Sequence, residues 1–374
     1  MSRLKPLEHK IKAVFYWLFR FFFKKGTAEF NPLDGTKINK VIILRPDRIG
    51  DSICSFPLID SLRRKFPNMK ISIFASPKNF GLIKNDPRFD KIFIYRRNIL
   101  LDIREVLHIR RQRYDAVIDL LGDDSVTTLV LSQLCVPGRP RLGIGKKRFA
   151  KYYDFNHHIE IGCPDHIIDI NLNLLKAFGI EEVSTDGHAP PHIGRDAETL
   201  AEEFINGLRG DDPDRVLVGY NLSMRGVNRD WGFEKSRELI RRIVDDFGGV
   251  QVILISAPPD RHKGDRLIRN FNHSVTQVPA NLNLIEIAAI IERLDLLISP
   301  DTSLIHIARS FKVPVIGLYP EYKKVYRQWR PYAQSNGLIL SYGGDNVFNI
   351  TVDQVYNEFN KMLDLLHPAE THER

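Results

Sequence analysis

The stretch that most constrains this 374-residue chain runs from residue 296 to residue 320. Residues 296–299 are a short apolar run, and Asp301, Thr302 and Ser303 are residue types that cap helices. Residues 303–311 carry helical spacing, and residues 313–318 are apolar again. The pattern predicts strand, tight turn, helix, strand. Such a turn offers the N–H groups and positive end of a helix to whatever lies above the sheet edge, which suits phosphate. The hydroxyls of Thr302 and Ser303 and the imidazole of His306 add donors on the same face. The same residues also fit a plainer reading, in which Asp301 only caps the helix and His306 is an interior histidine.

The alternation recurs along the chain. Residues 40–44 open a strand, residues 45–50 turn, and Asp51 begins a helix whose apolar positions Ile53, Phe56, Ile59, Leu62 and Phe66 follow the helical period. Further strands are expected at 71–75, 92–95, 116–120, 215–221 and 250–255. Helices are expected at 100–111, 125–134, 167–178, 234–247, 285–292 and 352–366. Strands alternating with helices predict an α/β fold with parallel sheets. The basic, glycine-rich stretch 137–148 reads as a solvated surface loop, with contact to an anionic acceptor as the alternative. No G-x-G-x-x-G follows the first strand, so no dinucleotide cofactor is expected.

At this length, and with 43% hydrophobic residues, two domains are expected. The polar loop at 207–214 marks their junction. The resulting division is a basic aromatic segment and linker at 1–37, a first domain at 38–212, a second at 213–350, and a terminal helix and tail at 351–374. That terminal helix is expected to pack back across the first domain.

The net charge is +8, and residues 1–27 hold seven Lys or Arg against Glu8, so the remaining body is nearly neutral. This argues against a nucleic-acid partner. Residues 13–23 are apolar and aromatic, contain Arg20, and are flanked by lysines; they are too short to span a bilayer. A helix lying in an anionic membrane interface fits them best, with packing on the protein body as the alternative. Cys54, Cys135 and Cys163 form no paired spacing, and no histidine pair has ligand spacing, so neither a disulfide framework nor a structural metal is expected.

Three motifs carry the functional reading. Asp301-Thr-Ser-Leu-Ile-His-Ile-Ala308 resembles the Asp-Thr-Gly-x-x-His-x-Ala signature of the glycosyltransferase family that contains the ADP-heptose:lipopolysaccharide heptosyltransferases, with Ser303 in place of glycine. Arg48-Ile-Gly-Asp-Ser52 resembles the family's Gly-Asp element after the first strand. Arg229-Asp-Trp231 fits the spacing of its Lys-x-Trp element. The resemblance covers about residues 38–345 and implies a GT-B fold, two Rossmann-like domains facing each other across a cleft. It also implies Asp51 as catalytic base, with Asp47 as substitute, and Arg48 and Ser52 beside an acceptor. Arg229, Arg225, Asp260, Asp301, Thr302, Ser303 and His306 would bind a nucleotide diphosphate sugar.

The activity so implied is inverting, metal-independent transfer of a sugar, heptose above others. The acceptor would be a lipid-linked oligosaccharide of the bacterial envelope, at the cytoplasmic face of the inner membrane. An Asp in this first turn also suits a helix N-cap, and loop arginines are often simply solvated. Two other functions compete: a nucleotide-sugar epimerase of related fold, and a catalytically weak binding protein of an envelope assembly pathway.

Overall fold

Short strands of β-branched and aliphatic residues, buried on both faces, build two separate parallel sheets. The computed structural model describes residues 17, 23, 25–26, 31–122, 124–160, 163, 165–182, 185–224, 226–271, 273–321 and 326–366. The N-terminal segment expected at a membrane interface falls almost wholly outside the described residues. No described helix is long and apolar enough to cross a membrane.

The first sheet contains β1 (Lys40–Arg45), β2 (Lys70–Ala75), β3 (Lys91–Ile94), β4 (Ala116–Asp119), β5 (Arg141–Ile144) and β6 (Phe155–His157). Its order is β3-β2-β1-β4-β5-β6, all parallel. The helices of this half are α1 (Ile49–Ile53), α2 (Phe56–Lys65), α3 (Pro77–Ile83), α4 (Ile99–Gln112), α5 (Val126–Cys135) and α6 (Ile167–Leu172), the last continued by a 3-10 turn over Asn173–Phe178. Val41, Ile42, Ile43 and Leu44 are fully buried on β1, as are Phe56, Leu58, Ile59 and Leu62 around α2. Each such side chain contributes about 1.5–3 kcal/mol of burial. The expected single helix from Asp51 to Phe66 is broken at Cys54 and Ser55.

The second half begins with α7 (Arg195–Arg209). It continues through β7 (Val216–Asn221), α8 (Phe233–Asp246), β8 (Val250–Ile255), α9 (Arg261–Ile268), β9 (Val275–Gln277), α10 (Leu284–Glu292) and β10 (Leu296–Pro300). It ends with α11 (Ser303–Ser310), β11 (Val315–Pro320), α12 (Tyr326–Trp329), β12 (Leu338–Ser341) and α13 (Val352–Leu366). Its sheet order is β12-β11-β10-β7-β8-β9, again all parallel. In each sheet the order reverses beside the first strand, at β1/β4 and at β7/β10. Open α/β sheets place their ligands outside the strand ends at such a point.

The chain divides into two compact units, and the break is not where the polar loop suggested. The second unit takes residues 187–374 and the short stretch around His166, so the boundary lies at Asp186/Gly187, not at 212/213. The reason is α7, which packs on α10 of the second unit. The terminal helix is also corrected: Val355, Phe359 and Met362 of α13 are buried in the second unit's own core, against α8 and β11.

The basic stretch 137–148 is not a solvated loop. It contains β5, with Arg141 and Lys146 buried. Arg141 donates to the Tyr152 carbonyl at 2.6 Å and pairs with Asp154 at 3.4 Å. Lys146 pairs with Asp119 at 2.9 Å and donates to the Leu121 carbonyl at 2.6 Å. β6, β9 and β12, each of three or four residues, had no sequence signal strong enough to predict them.

Candidate active site

In the first unit, the turn after β1 gathers acids around one buried cation. Arg45 is 1% exposed. Its Nε and Nη2 donate to the Asp51 carbonyl at 3.1 and 2.7 Å, and its Nη1 donates to the Leu120 carbonyl after β4. The same guanidinium lies 3.3 Å from the Asp47 carboxylate and 3.7 Å from that of Asp51. Arg45 thus ties the two strands at the reversal point and fixes where Asp51 stands.

Asp51 is in α1 itself, not at its cap; the cap position is Arg48, extended and without a side-chain cap bond. The Asp51 side chain keeps partial access to solvent. Asp47 differs in its surroundings. Burial pushes its carboxyl up to about 7, assisted by the neighbouring Asp51 and Asp119 charges and opposed by Arg45. Its Oδ1 is buried without a hydrogen-bond partner.

Ser52 is corrected. It is fully buried, accepts from Asn79 Nδ2 at 2.7 Å and donates to the Arg48 carbonyl at 3.3 Å. It braces the turn and has no face left for an acceptor. Asn79 also donates to the Arg45 carbonyl at 3.0 Å, and Ser76 donates to the Asp47 carbonyl at 3.0 Å, so α3 holds the turn from behind. Arg48 is exposed.

In the second unit, three loops leave the carboxyl ends of β7, β8 and β10. Asn221 ends β7 buried and donates through Nδ2 to Ser299 Oγ at 2.9 Å and Thr302 Oγ1 at 3.1 Å. Thr302 is the N-cap of α11, with its Oγ1 accepting from the Leu304 N–H at 3.4 Å. Its hydroxyl is therefore spent on shaping the turn, and partly exposed Ser303 follows it as the first helical residue. Asp301 does not cap. Its Oδ2 is 2.8 Å from Arg229 Nη2, so the motif acid holds the loop arginine beside the helix end. Arg229 closes a short 3-10 turn, Val227–Arg229, that follows β7.

Trp231 anchors this loop rather than facing a ligand: it is 3% exposed and donates through Nε1 to the Ile350 carbonyl at 2.9 Å. Asp260, at the start of α9, pairs with Lys263 at 3.0 Å. The Ala257 N–H donates to Ser223 Oγ at 2.7 Å, joining the loops after β7 and β8. Arg225 lies outside the described residues.

His306 is a second correction. It is 7% exposed, its ring edge-on to Trp329 at 5.7 Å and 6.4 Å from His166. One turn into α11, its ring is covered by these neighbours. His166, weighed in the sequence only as a metal ligand and set aside, is buried against Tyr332, its Nε2 3.0 Å from the Arg330 carbonyl oxygen. Burial pushes its imidazole down to about 3, with His306 adding to the shift. Arg45 and Asn221 were also missed, although a lone Arg or Asn closing an apolar strand is a signal of its own.

The second unit thus offers an arginine held by an acid beside a capped helix start, an arrangement suited to a diphosphate. The first offers a partly exposed carboxylate fixed on a buried guanidinium. The sequence pattern of "Glycosyltransferase family 9 (heptosyltransferase)" matches residues 104–347. The chain belongs to this family. It is a glycosyltransferase of GT-B fold. It is similar to lipopolysaccharide heptosyltransferase 3 of Escherichia coli K12, with 24% identity over 86% of this chain and 92% of the relative.

Among solved structures, the glycosyl transferase family 9 protein of Veillonella parvula shares the fold with a TM-score of 0.73 at 18% identity. That match covers 90% of this chain and 99% of the other. The E. coli heptosyltransferase WaaC, solved with ADP, follows at 0.67 and 18%, covering 87% and 98%. In this family 9 enzyme the three sequence motifs resolve into two kinds of residue. Asp51, Arg229 and Asp301 keep partly exposed side chains, whereas Ser52, Trp231 and His306 are buried within their own units.

Proposed function

We propose that this glycosyltransferase moves a heptose, with inversion, from a nucleotide diphosphate heptose to a hydroxyl of a lipid-linked core oligosaccharide. The observation that carries the reading is the Arg229–Asp301 pair at 2.8 Å beside the Thr302-capped start of α11, at the reversal point of the second sheet. A guanidinium bound at one nitrogen still has donors for two phosphate oxygens, and the helix start adds positive potential. Membership of family 9 and the lipopolysaccharide heptosyltransferase named among its relatives support heptose as the sugar and a lipopolysaccharide core as the acceptor class.

Chemically, the acceptor oxygen forms a bond to the anomeric carbon as that carbon's bond to the diphosphate oxygen breaks. The hydroxyl proton passes to the Asp51 carboxylate, and the negative charge that builds on the departing diphosphate is met by Arg229 and the helix start. Arg45 keeps Asp51 in place through its main-chain carbonyl as well as its charge. Asp260 and Arg225 complete the proposed donor loops, and Arg48 the acceptor side. An acceptor of this kind is anchored in a bilayer, so we place the enzyme at the cytoplasmic face of the inner membrane, with residues 11–25 in the interface.

The test is turnover of ADP-heptose with a heptose-deficient core oligosaccharide by wild type and Asp51→Asn. The substitution is expected to lower transfer by at least about 10²-fold while donor affinity is kept. Transfer by the variant at the wild-type rate would sink the assignment of the base.

A further inference from the structure

Of the twelve large apolar side chains that stand exposed among the described residues, five lie on α4: Ile99, Leu100, Leu101, Ile103 and Leu107. Leu100 is 77% exposed and Ile99 74%. Ile99, Ile103 and Leu107 recur at helical spacing and make one stripe. The adjoining face, with Asp102, Val106 and Ile109, is buried on the protein. The helix is well made despite its outward face: Asn98 Oδ1 accepts from the Leu101 N–H at 3.2 Å, and Arg113 closes it in the left-handed conformation at φ 55°. This apolar face is therefore a feature of a capped, stable element.

Its fringe is cationic. Arg97, Arg104, Arg110, Arg111 and Arg113 are exposed and form no ion pair among the described residues. The two acids of the helix are taken up within the protein, since Asp102 accepts from the Arg96 N–H at 2.8 Å and Glu105 pairs with Arg96 at 3.2 Å. We infer that α4 is a membrane-docking helix that lies in the surface of an anionic bilayer. Apolar side chains enter the acyl boundary and the arginines meet lipid phosphates, the pattern of an interfacial amphipathic helix. A second copy of the chain fits the face poorly, because a two-fold contact sets its arginine fringe against itself. The purpose, bringing the enzyme to a bilayer-held acceptor, rests on the function proposed above, but the binding needs no substrate and is measured without one.

Because the basic segment at residues 1–27 can also bind lipid, the experiment reads α4 locally. Full-length protein with Cys163→Ser and Leu100→Cys is labelled with an environment-sensitive fluorophore, Cys54 and Cys135 being buried. Vesicles of phosphatidylethanolamine and phosphatidylglycerol should shift its emission to the blue, and vesicles of phosphatidylcholine alone should not. In sedimentation of the unlabelled protein, Leu100→Asp with Ile103→Asp should lower the partition onto anionic vesicles at least about tenfold. Arg104→Ala should lower it about fivefold, with the difference shrinking in high salt.

An emission unmoved by lipid, an equal response to both vesicle types, or wild-type partition of the double variant would overturn the inference. So would a blue shift without lipid, whether it grows with protein concentration, which marks a second copy, or not, which marks cover by the chain itself. Failure of ADP-heptose to bind in a separate titration would count against the transferase reading alone.

Discussion

Arg45 ends β1 fully buried, with its guanidinium between the carboxylates of Asp47 and Asp51 and its donors on two main-chain carbonyls. Replacing it with Met leaves those two acids without their shared cation. The expected cost is about 3–5 kcal/mol of stability, read from chemical denaturation. Asp47 carries the opposite sign of effect. Its carboxyl is pushed up to about 7 in the folded protein, so between the ordinary carboxylate range near 4 and about 7 the folded state holds a proton that the unfolded state has lost. Stability therefore falls as pH rises through that window. Asp47→Asn should remove the fall and, above about pH 7.5, exceed wild type by on the order of 2 kcal/mol; a variant with the wild-type pH slope would contradict the burial argument. Neither effect was legible in the sequence, where Arg45 read only as part of a turn and Asp47 as a substitute base, because the Leu120 carbonyl and the Asp119 charge reach them from a distant part of the chain.

At the scale of elements, the motif loops depend on what packs behind them. Trp231 stands two residues after Arg229 and joins its loop to the second unit's core through the Ile350 carbonyl. Trp231→Phe should cost about 1 kcal/mol for the lost indole hydrogen bond, since Lys235 still donates to the Ile350 carbonyl at 2.9 Å, and Trp231→Ala about 3–5 kcal/mol for the cavity. His166 gives the same half a pH dependence. Its imidazole is pushed down to about 3 by burial, so below about pH 6.5 the unfolded state binds a proton that the folded state excludes. Stability then falls as pH drops from about 6.5 toward 3, at up to about 1.4 kcal/mol per pH unit. His166→Gln should flatten that acid limb in thermal unfolding followed across pH, and an unchanged limb would show that His166 does not carry it.

Elements were the most legible level: α13 and β8 were bounded correctly from periodicity alone. β5 was not, because Arg141 and Lys146 within and beside it look like solvent-facing charge. Their partners Asp154 and Asp119 are contributed by other parts of the chain.

For the molecule as a whole, the two-unit α/β plan followed from the recurring strand and helix patterns, and the family from three short motifs. The boundary did not, because a polar loop at 207–214 is a weaker fact than the packing of α7 on α10, which carries residues from Gly187 into the second unit. Of the motif residues, sequence gave position but not exposure. The side chains of Asp51, Arg229 and Asp301 stay partly exposed, while Ser52, Trp231 and His306 are buried.

In the proposed mechanism, donor recognition belongs to the second unit and proton transfer to the first. Calorimetric titration of ADP-heptose into wild type, Asp51→Asn and Arg229→Ala tests it most directly. Equal affinity is expected for wild type and Asp51→Asn, and binding at least about tenfold weaker for Arg229→Ala, the loss of a charge-assisted bidentate contact. A donor that binds Arg229→Ala as tightly as wild type, or one whose affinity depends instead on Asp51, would contradict it.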